Sequence, residues 1–154
     1  MIVVSDTSVI TTLLQIGKAD LLRQLFGEVL IPEAVRDELS VAHALLPAFV
    51  RCEPVQNRPA VERLLRELDP GEAEAIVLAR EKNADLLLMD ESAGRRIALR
   101  EGIRFTGLVG ALVDAKRKRL IPSLVRVLDE IKSQTTFFIS EATRNLALKT
   151  AGEL

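Results

Sequence analysis

The sequence predicts an α/β fold, a three-layer α/β/α sandwich around a short, mostly parallel central sheet. Two observations carry this. Short apolar runs of strand length alternate with stretches whose apolar residues recur at helical spacing. Two of the runs, Ile2-Val3-Val4 and, after Asp85, Leu86-Leu87-Leu88-Met89, are continuously apolar instead of alternating, as strands covered by helices on both faces are. With 154 residues the chain is long enough for one domain with a real core and too short for two ordinary ones.

Each element has a local reason. Ile2 to Val4 is β-branched and suits a buried strand, and Asp6 follows where that strand ends. Ser8 stands at an N-cap position before Val9, Ile10, Leu13 and Leu14, which share one helical face. Gly17 stops that helix. A second short helix runs from Ala19 to Phe26, and Gly27 breaks it. Glu28 to Ile31 reads as a strand. Pro32 takes a first helical position, and Val35 and Leu39 give the next helix its stripe, with Glu38 beside it. Residues 40 to 58 fit two patterns, a helix through Leu45, Leu46, Phe49 and Val50 or a strand from Val50 to Val55. Pro59 opens a helix through Leu64, Leu65 and Leu68. Asp69-Pro70-Gly71-Glu72 has an N-cap acid, Pro at the first helical position and Glu at the third, a capping-box start for a helix reaching Lys82.

The strand over 85–89 ends in Asp90, and a helix over Ser92 to Arg100 follows, stopped by Gly102. Ile103 to Thr106 is a short strand, and Leu108, Val109, Leu112 and Val113 mark a helix closed by Lys116-Arg117-Lys118-Arg119, a favourable place for cations. Pro122 starts a helix carrying Leu124, Val125, Leu128 and Ile131. Phe137 to Ile139 reads as an edge strand, and Ser140 caps a last helix through Leu148. No internal repeat or low-complexity tract interrupts this series.

Composition narrows the chemistry. The chain is 48% hydrophobic and 28% charged with a net charge of −1, which marks a globular protein without a bulk basic surface. It has no Trp or Tyr and five Phe, so an aromatic base-stacking platform is not expected. Cys52 is the single cysteine, which rules out an intrachain disulfide and fits a reducing cytoplasm. His43 is the single histidine, so no site can rest on several histidines. No apolar run is long enough to span a membrane and no basic leader precedes an apolar stretch, so neither insertion nor secretion is expected.

The acids remain. Right-handed crossovers bring the ends of neighbouring parallel strands to one edge of the sheet, which places Asp6 and Asp90 on that edge. Glu38, late in a helix, and Glu72, early in another, are the further candidates. Converging carboxylates repel one another, and a divalent ion such as Mg²⁺ or Mn²⁺ removes that difficulty with oxygen ligands alone. Such an ion can also drive phosphodiester hydrolysis without a histidine base.

Four stretches carry a resemblance. Val3-Val4-Ser5-Asp6-Thr7-Ser8 is similar to the first motif of the PIN-domain nucleases, a strand ending in Asp followed by Thr or Ser. Pro32 to Leu39, with Glu38 as its acid, is similar to the second. Gly71-Glu72 and the small-residue helix to Ala79 look like the third, although that family more often has Asp at position 72. Leu86-Leu87-Leu88-Met89-Asp90 looks like the fourth, with Met89 in place of a common Thr. Likeness is greatest to VapC-type toxins and compact relatives, close over residues 1 to 120. It implies a Mg²⁺- or Mn²⁺-dependent endoribonuclease, often the toxin partner of a small antitoxin protein, commonly a homodimer. The carboxylates of Asp6, Glu38, Glu72 and Asp90 are its implied catalytic and metal-holding set.

Thr7, Ser8 and Glu91 are accessory candidates, and Glu74 rivals Glu72. Arg95, Arg96 and Lys116 are candidate RNA contacts. Apolar surface on the first helices and over residues 40–58 is the expected antitoxin groove. Structural explanations stand beside these. Asp6 and Asp90 suit turns, Glu38 a solvated helix face, Glu72 a capping box, and the basic run a helix end. An inactive PIN-like module that binds protein or RNA is the alternative from another class. A haloacid-dehalogenase-type phosphatase needs an acid where Ser8 stands, and a phospho-acceptor receiver needs its paired acids in another order.

Overall fold

The computed structural model describes residues 1–154. Five parallel strands form one sheet in the order β3-β2-β1-β4-β5, with β1 at Val3–Ser5, β2 at Val29–Ile31, β3 at Val50–Cys52, β4 at Leu86–Leu88 and β5 at Phe105–Thr106. The helices are α1 (Thr7–Gln15), α2 (Asp20–Phe26), α3 (Glu33–Ala42), α4 (Arg58–Leu64), α5 (Pro70–Glu81), α6 (Ser92–Arg100), α7 (Leu108–Arg117), α8 (Leu124–Gln134) and α9 (Glu141–Thr150). The α/β/α reading holds, and the sheet is parallel throughout.

The pleat sorts the strand residues into two cores. Val3, Val29, Ile31 and Leu88 pack with residues of α1, α2, α3, α7, α8 and α9. Val4, Leu30, Leu87 and Met89 face the other way, onto α4, α5 and α6. Each central strand buries both faces, so its sequence has no polar alternation to show. α5 is buried almost all round. Its Ala73, Ala75 and Ala79 let it lie close against both β1 and α3.

Several boundaries differ from expectation. Asp6, not Ser8, is the N-cap residue of α1, so Thr7 and Ser8 lie in the first turn. Pro32 is likewise the N-cap of α3 and not its first helical residue. Over 40–58 the strand pattern wins at Val50–Cys52, because Val29, Leu30 and Ile31 offer a free edge to pair with. The helix opened near Pro59 ends at Leu64, and α8 begins at Leu124 with Ser123 as its cap.

The expected edge strand over 137–139 is absent. Phe137 and Ile139 pack on the core while Phe138 points out, which reproduces strand alternation in an extended segment that pairs with nothing. The capping box at Asp69 and Glu72 and the Ser140 cap are present as expected. No helix is long and apolar enough to cross a membrane.

Candidate active site at the carboxyl edge of the sheet

Adjacent strands β1 and β4 end side by side, with Ser5 in register with Leu88, so Asp6 and Asp90 emerge together at the carboxyl edge. The Asp6 amide donates to Leu88 O at 3.0 Å, which fixes the turn out of β1. Asp6 is 2% exposed. Burial and the neighbouring Asp90 charge push its carboxyl up from 3.8 to about 7, although the N–H groups of Val9 and Asp90 pull the other way. Ser8 Oγ, in the first turn of α1, stands 3.4 Å and 3.5 Å from the two Asp6 carboxylate oxygens.

Asp90 is tied differently. The Leu108 amide, first in α7, donates to its two oxygens at 3.2 Å and 3.3 Å. Arg95 Nη2 approaches Oδ1 at 3.6 Å. Burial still dominates and raises the Asp90 carboxyl above its ordinary range, against the pull of the Leu108 amide and Arg95. Arg95 is itself positioned. Its Nε donates to Met89 O at 2.8 Å and its guanidinium lies 5.3 Å from the centre of the Phe105 ring.

Glu38 and Glu72 border the same place. Thr7 Oγ1 donates to Glu38 Oε2. A methyl group on Gly71 would stand 2.6 Å and 2.8 Å from the Glu38 oxygens, so a larger residue there would push the Glu38 carboxylate aside. The Glu72 amide donates to Asp69 Oδ1 at 2.9 Å, and its side chain accepts from the Asp69 amide at 3.3 Å. Burial, with the Asp69, Glu91 and Glu38 charges, raises the Glu72 carboxyl. The Glu72 charge in turn bears on Asp6. The four acids therefore share one electrostatic neighbourhood. Yet no three acidic, His or Cys side chains stand close enough to make a ready cation cage; Glu38 is engaged by Thr7 and Glu72 by the capping box.

Beside Asp90 opens a cleft of about 1160 Å³, running between α1, α7 and α9 and walled on one side by residues 136–140. Ser8, Asp90, Glu91 and Arg95 line its near end. A family model, DUF3368, described as a PIN domain, matches residues 2–153. The chain belongs to the PIN-domain family. No curated protein and no solved structure matches the chain. PIN domains are generally nucleases, so this is a nuclease-type fold and its implied substrate is a nucleic acid.

Other candidates in the PIN domain take other places. Glu91 is the exposed N-cap residue of α6 and makes no capping bond. Arg96 is exposed and lies outside the cleft lining. Lys116 also lies outside it, its amine donating to Pro122 O at 2.8 Å and pairing with Glu153 at 3.3 Å. Glu74, the rival of Glu72, is 8% exposed and is engaged elsewhere. It accepts from the Ala34 amide at 3.0 Å and from Arg58 Nη1 at 2.7 Å, joining the starts of α3 and α4 to α5. Glu74→Ala should cost about 2–3 kcal/mol in urea unfolding, because it strands a buried amide and an arginine. Its Mn²⁺ uptake below the melt should match the parent.

The closeness of Gly71 to Glu38, the role of Gly107 and the Arg95–Phe105 contact have no reading in the sequence. The one available signal was Thr106-Gly107 between a short strand and an apolar helix pattern.

Proposed function

We propose that the protein is a Mg²⁺- or Mn²⁺-dependent endoribonuclease of the cytoplasm, the toxin of a toxin–antitoxin pair, working as a homodimer. The supporting observation is the buried Asp6 carboxyl, driven up to about 7 beside Asp90 at the mouth of an open cleft. That is the electrostatic condition a divalent cation relieves. The donors fit such an ion. They are oxygen only, with two carboxylates at the centre and open space beside Asp90, and Mg²⁺ takes few carboxylates and keeps several waters.

Asp6 and Asp90 would hold it, with Glu38 and Glu72 around them. Bound there, it would supply Lewis acidity toward a phosphodiester and acidify water. The chain does the rest. Leu108 and Arg95 orient Asp90, Thr7 orients Glu38, and burial of Asp6 keeps bulk water from its carboxylate. Below about pH 7 Asp6 retains its proton in the cation-free protein. RNA cleavage with Mg²⁺ or Mn²⁺, with EDTA, and in Asp6→Asn and Asp90→Asn tests this. Metal-independent cleavage, or unchanged cleavage in both variants, overturns the mechanism.

Glu72 has a sharper test. Glu72→Gln keeps an oxygen for the Asp69 amide but loses the charge. We expect its melting temperature to stay within about 2 °C of the parent and cleavage to fall about tenfold. Asp69→Ala should do the reverse, costing about 1 kcal/mol with Mn²⁺ uptake preserved.

An inactive binding module is the second reading, favoured by the absence of a ready cation cage. Calorimetry with Mn²⁺ separates the two, because a pure module shows no acid-dependent uptake. Val41, in the last turn of α3, and Leu45, just beyond it, are exposed and support an antitoxin surface there. Co-expression with a neighbouring small gene should yield a stable complex, and light scattering should report a dimer. No co-purification and no relief of growth arrest would count against the toxin role.

A further inference from the structure

Arg95 is fixed more firmly than a simple substrate contact requires. Its Nε is bonded to Met89 O at 2.8 Å, its plane lies over Phe105 at 5.3 Å, and its Nη2 stands 3.6 Å from Asp90 Oδ1. A methyl group at Gly107 would collide with both Arg95 Nη2 and Asp90 Oδ1, so the backbone there leaves room for this pair alone. The side chain is 38% exposed and its open side faces the cleft.

We propose that Arg95 is a built-in counter-cation of Asp90 that couples metal binding to RNA binding. This rests on the nuclease reading and goes beyond it. A guanidinium keeps its charge at any working pH. Seated beside Asp90, it partly neutralises that carboxylate and repels a divalent ion approaching the same oxygens. A phosphate entering the cleft offers the guanidinium a second anion, and its charge-assisted donors suit phosphate geometry. Phosphate on Arg95 weakens its repulsion of the ion. Linkage then requires that the ion strengthen phosphate binding by the same factor. Glu91 lies at the same mouth and adds negative charge beside Asp90, and Arg95 is the one cation paired with the Asp90 carboxylate. Arg95 is thus a positioning residue for Asp90 and a phosphate contact at once.

The signature is a pair of opposite effects in one variant. Mn²⁺ affinity is read by titration calorimetry on RNA-free protein. RNA affinity is read by fluorescence anisotropy of a labelled single strand in Ca²⁺. Arg95→Gln should bind Mn²⁺ about three- to tenfold more tightly and RNA about tenfold more weakly. Arg95→Lys should leave Mn²⁺ affinity near the parent value, because the charge remains, and recover part of the RNA affinity. Should the Gln variant not fold, Arg95→Met keeps the stem packed on Phe105 and gives the same Mn²⁺ readout. A charge-removing variant with unchanged or weaker Mn²⁺ affinity overturns the coupling and leaves the nuclease reading standing. A parent protein that takes up no Mn²⁺ overturns both.

Discussion

Asp6→Asn should abolish cleavage and yet make the metal-free protein harder to melt at alkaline pH. The two effects have one cause. The Asp6 carboxyl sits near 3.8 in the unfolded chain and at about 7 in the folded one. Between those values the native state binds more protons than the unfolded state, so stability falls as pH rises through the window. Below about pH 4 both states are protonated and the penalty is absent. Above about pH 7 it is complete, at roughly 4 kcal/mol. Asparagine has no charge to strand. In EDTA near pH 8, Asp6→Asn should therefore melt about 5–15 °C above the parent, with the difference shrinking toward pH 4. Divalent ion should raise the melting temperature of the parent at pH 8 and leave the variant unmoved. A parent curve flat between pH 4 and 8 in EDTA would contradict the buried, repelled carboxylate on which the site depends.

Gly107→Ala should damage the site from a position with no functional group of its own. Its backbone is extended and suits any residue, so the requirement is for space, not for a special dihedral angle. The added methyl group would meet the Arg95 guanidinium and the Asp90 carboxylate together. One or both must move, or the start of α7 must back away and lengthen the Leu108 bonds to Asp90. Overpacking of this kind costs about 1–3 kcal/mol. A shift of about 1 Å in a positioned carboxylate costs about a hundredfold in rate. Differential scanning calorimetry should show a drop of several degrees, and cleavage should fall far more than that drop accounts for. Wild-type activity in Gly107→Ala would mean that Asp90 is not held where the reaction needs it.

Much of this architecture is legible in the chain because its signals are local. The strands at Val3–Ser5 and Leu86–Leu88 announce themselves by unbroken apolar runs, and Asp6 and Asp90 by following them. The capping box at Asp69 and Glu72 is a four-residue pattern and appears as written. Where local and tertiary signals compete, the sequence misleads. Phe137 to Ile139 alternates like a strand because its side chains choose between core and solvent, and no backbone partner stands beside it. Ser8 suits an N-cap, but the α1 backbone turns helical two residues earlier, leaving Asp6 in the extended cap position. The contacts of Gly71 with α3, Gly107 with Asp90 and Arg95 with Phe105 all join segments distant in sequence. No window of neighbouring residues contains them.

The placement of β1 between β2 and β4 carries a consequence for how the protein is made. β1 precedes the other four strands of this sheet in the chain yet occupies its middle, and one of its two edges must wait for residues 86–88. Until then Asp6 has no Asp90 beside it, and Leu108, which steadies Asp90, emerges later still. Pairing over so long a separation is slow to form. A nascent chain thus carries Asp6 without its partner carboxylate until the second half docks, so the paired-acid edge of the sheet is assembled late.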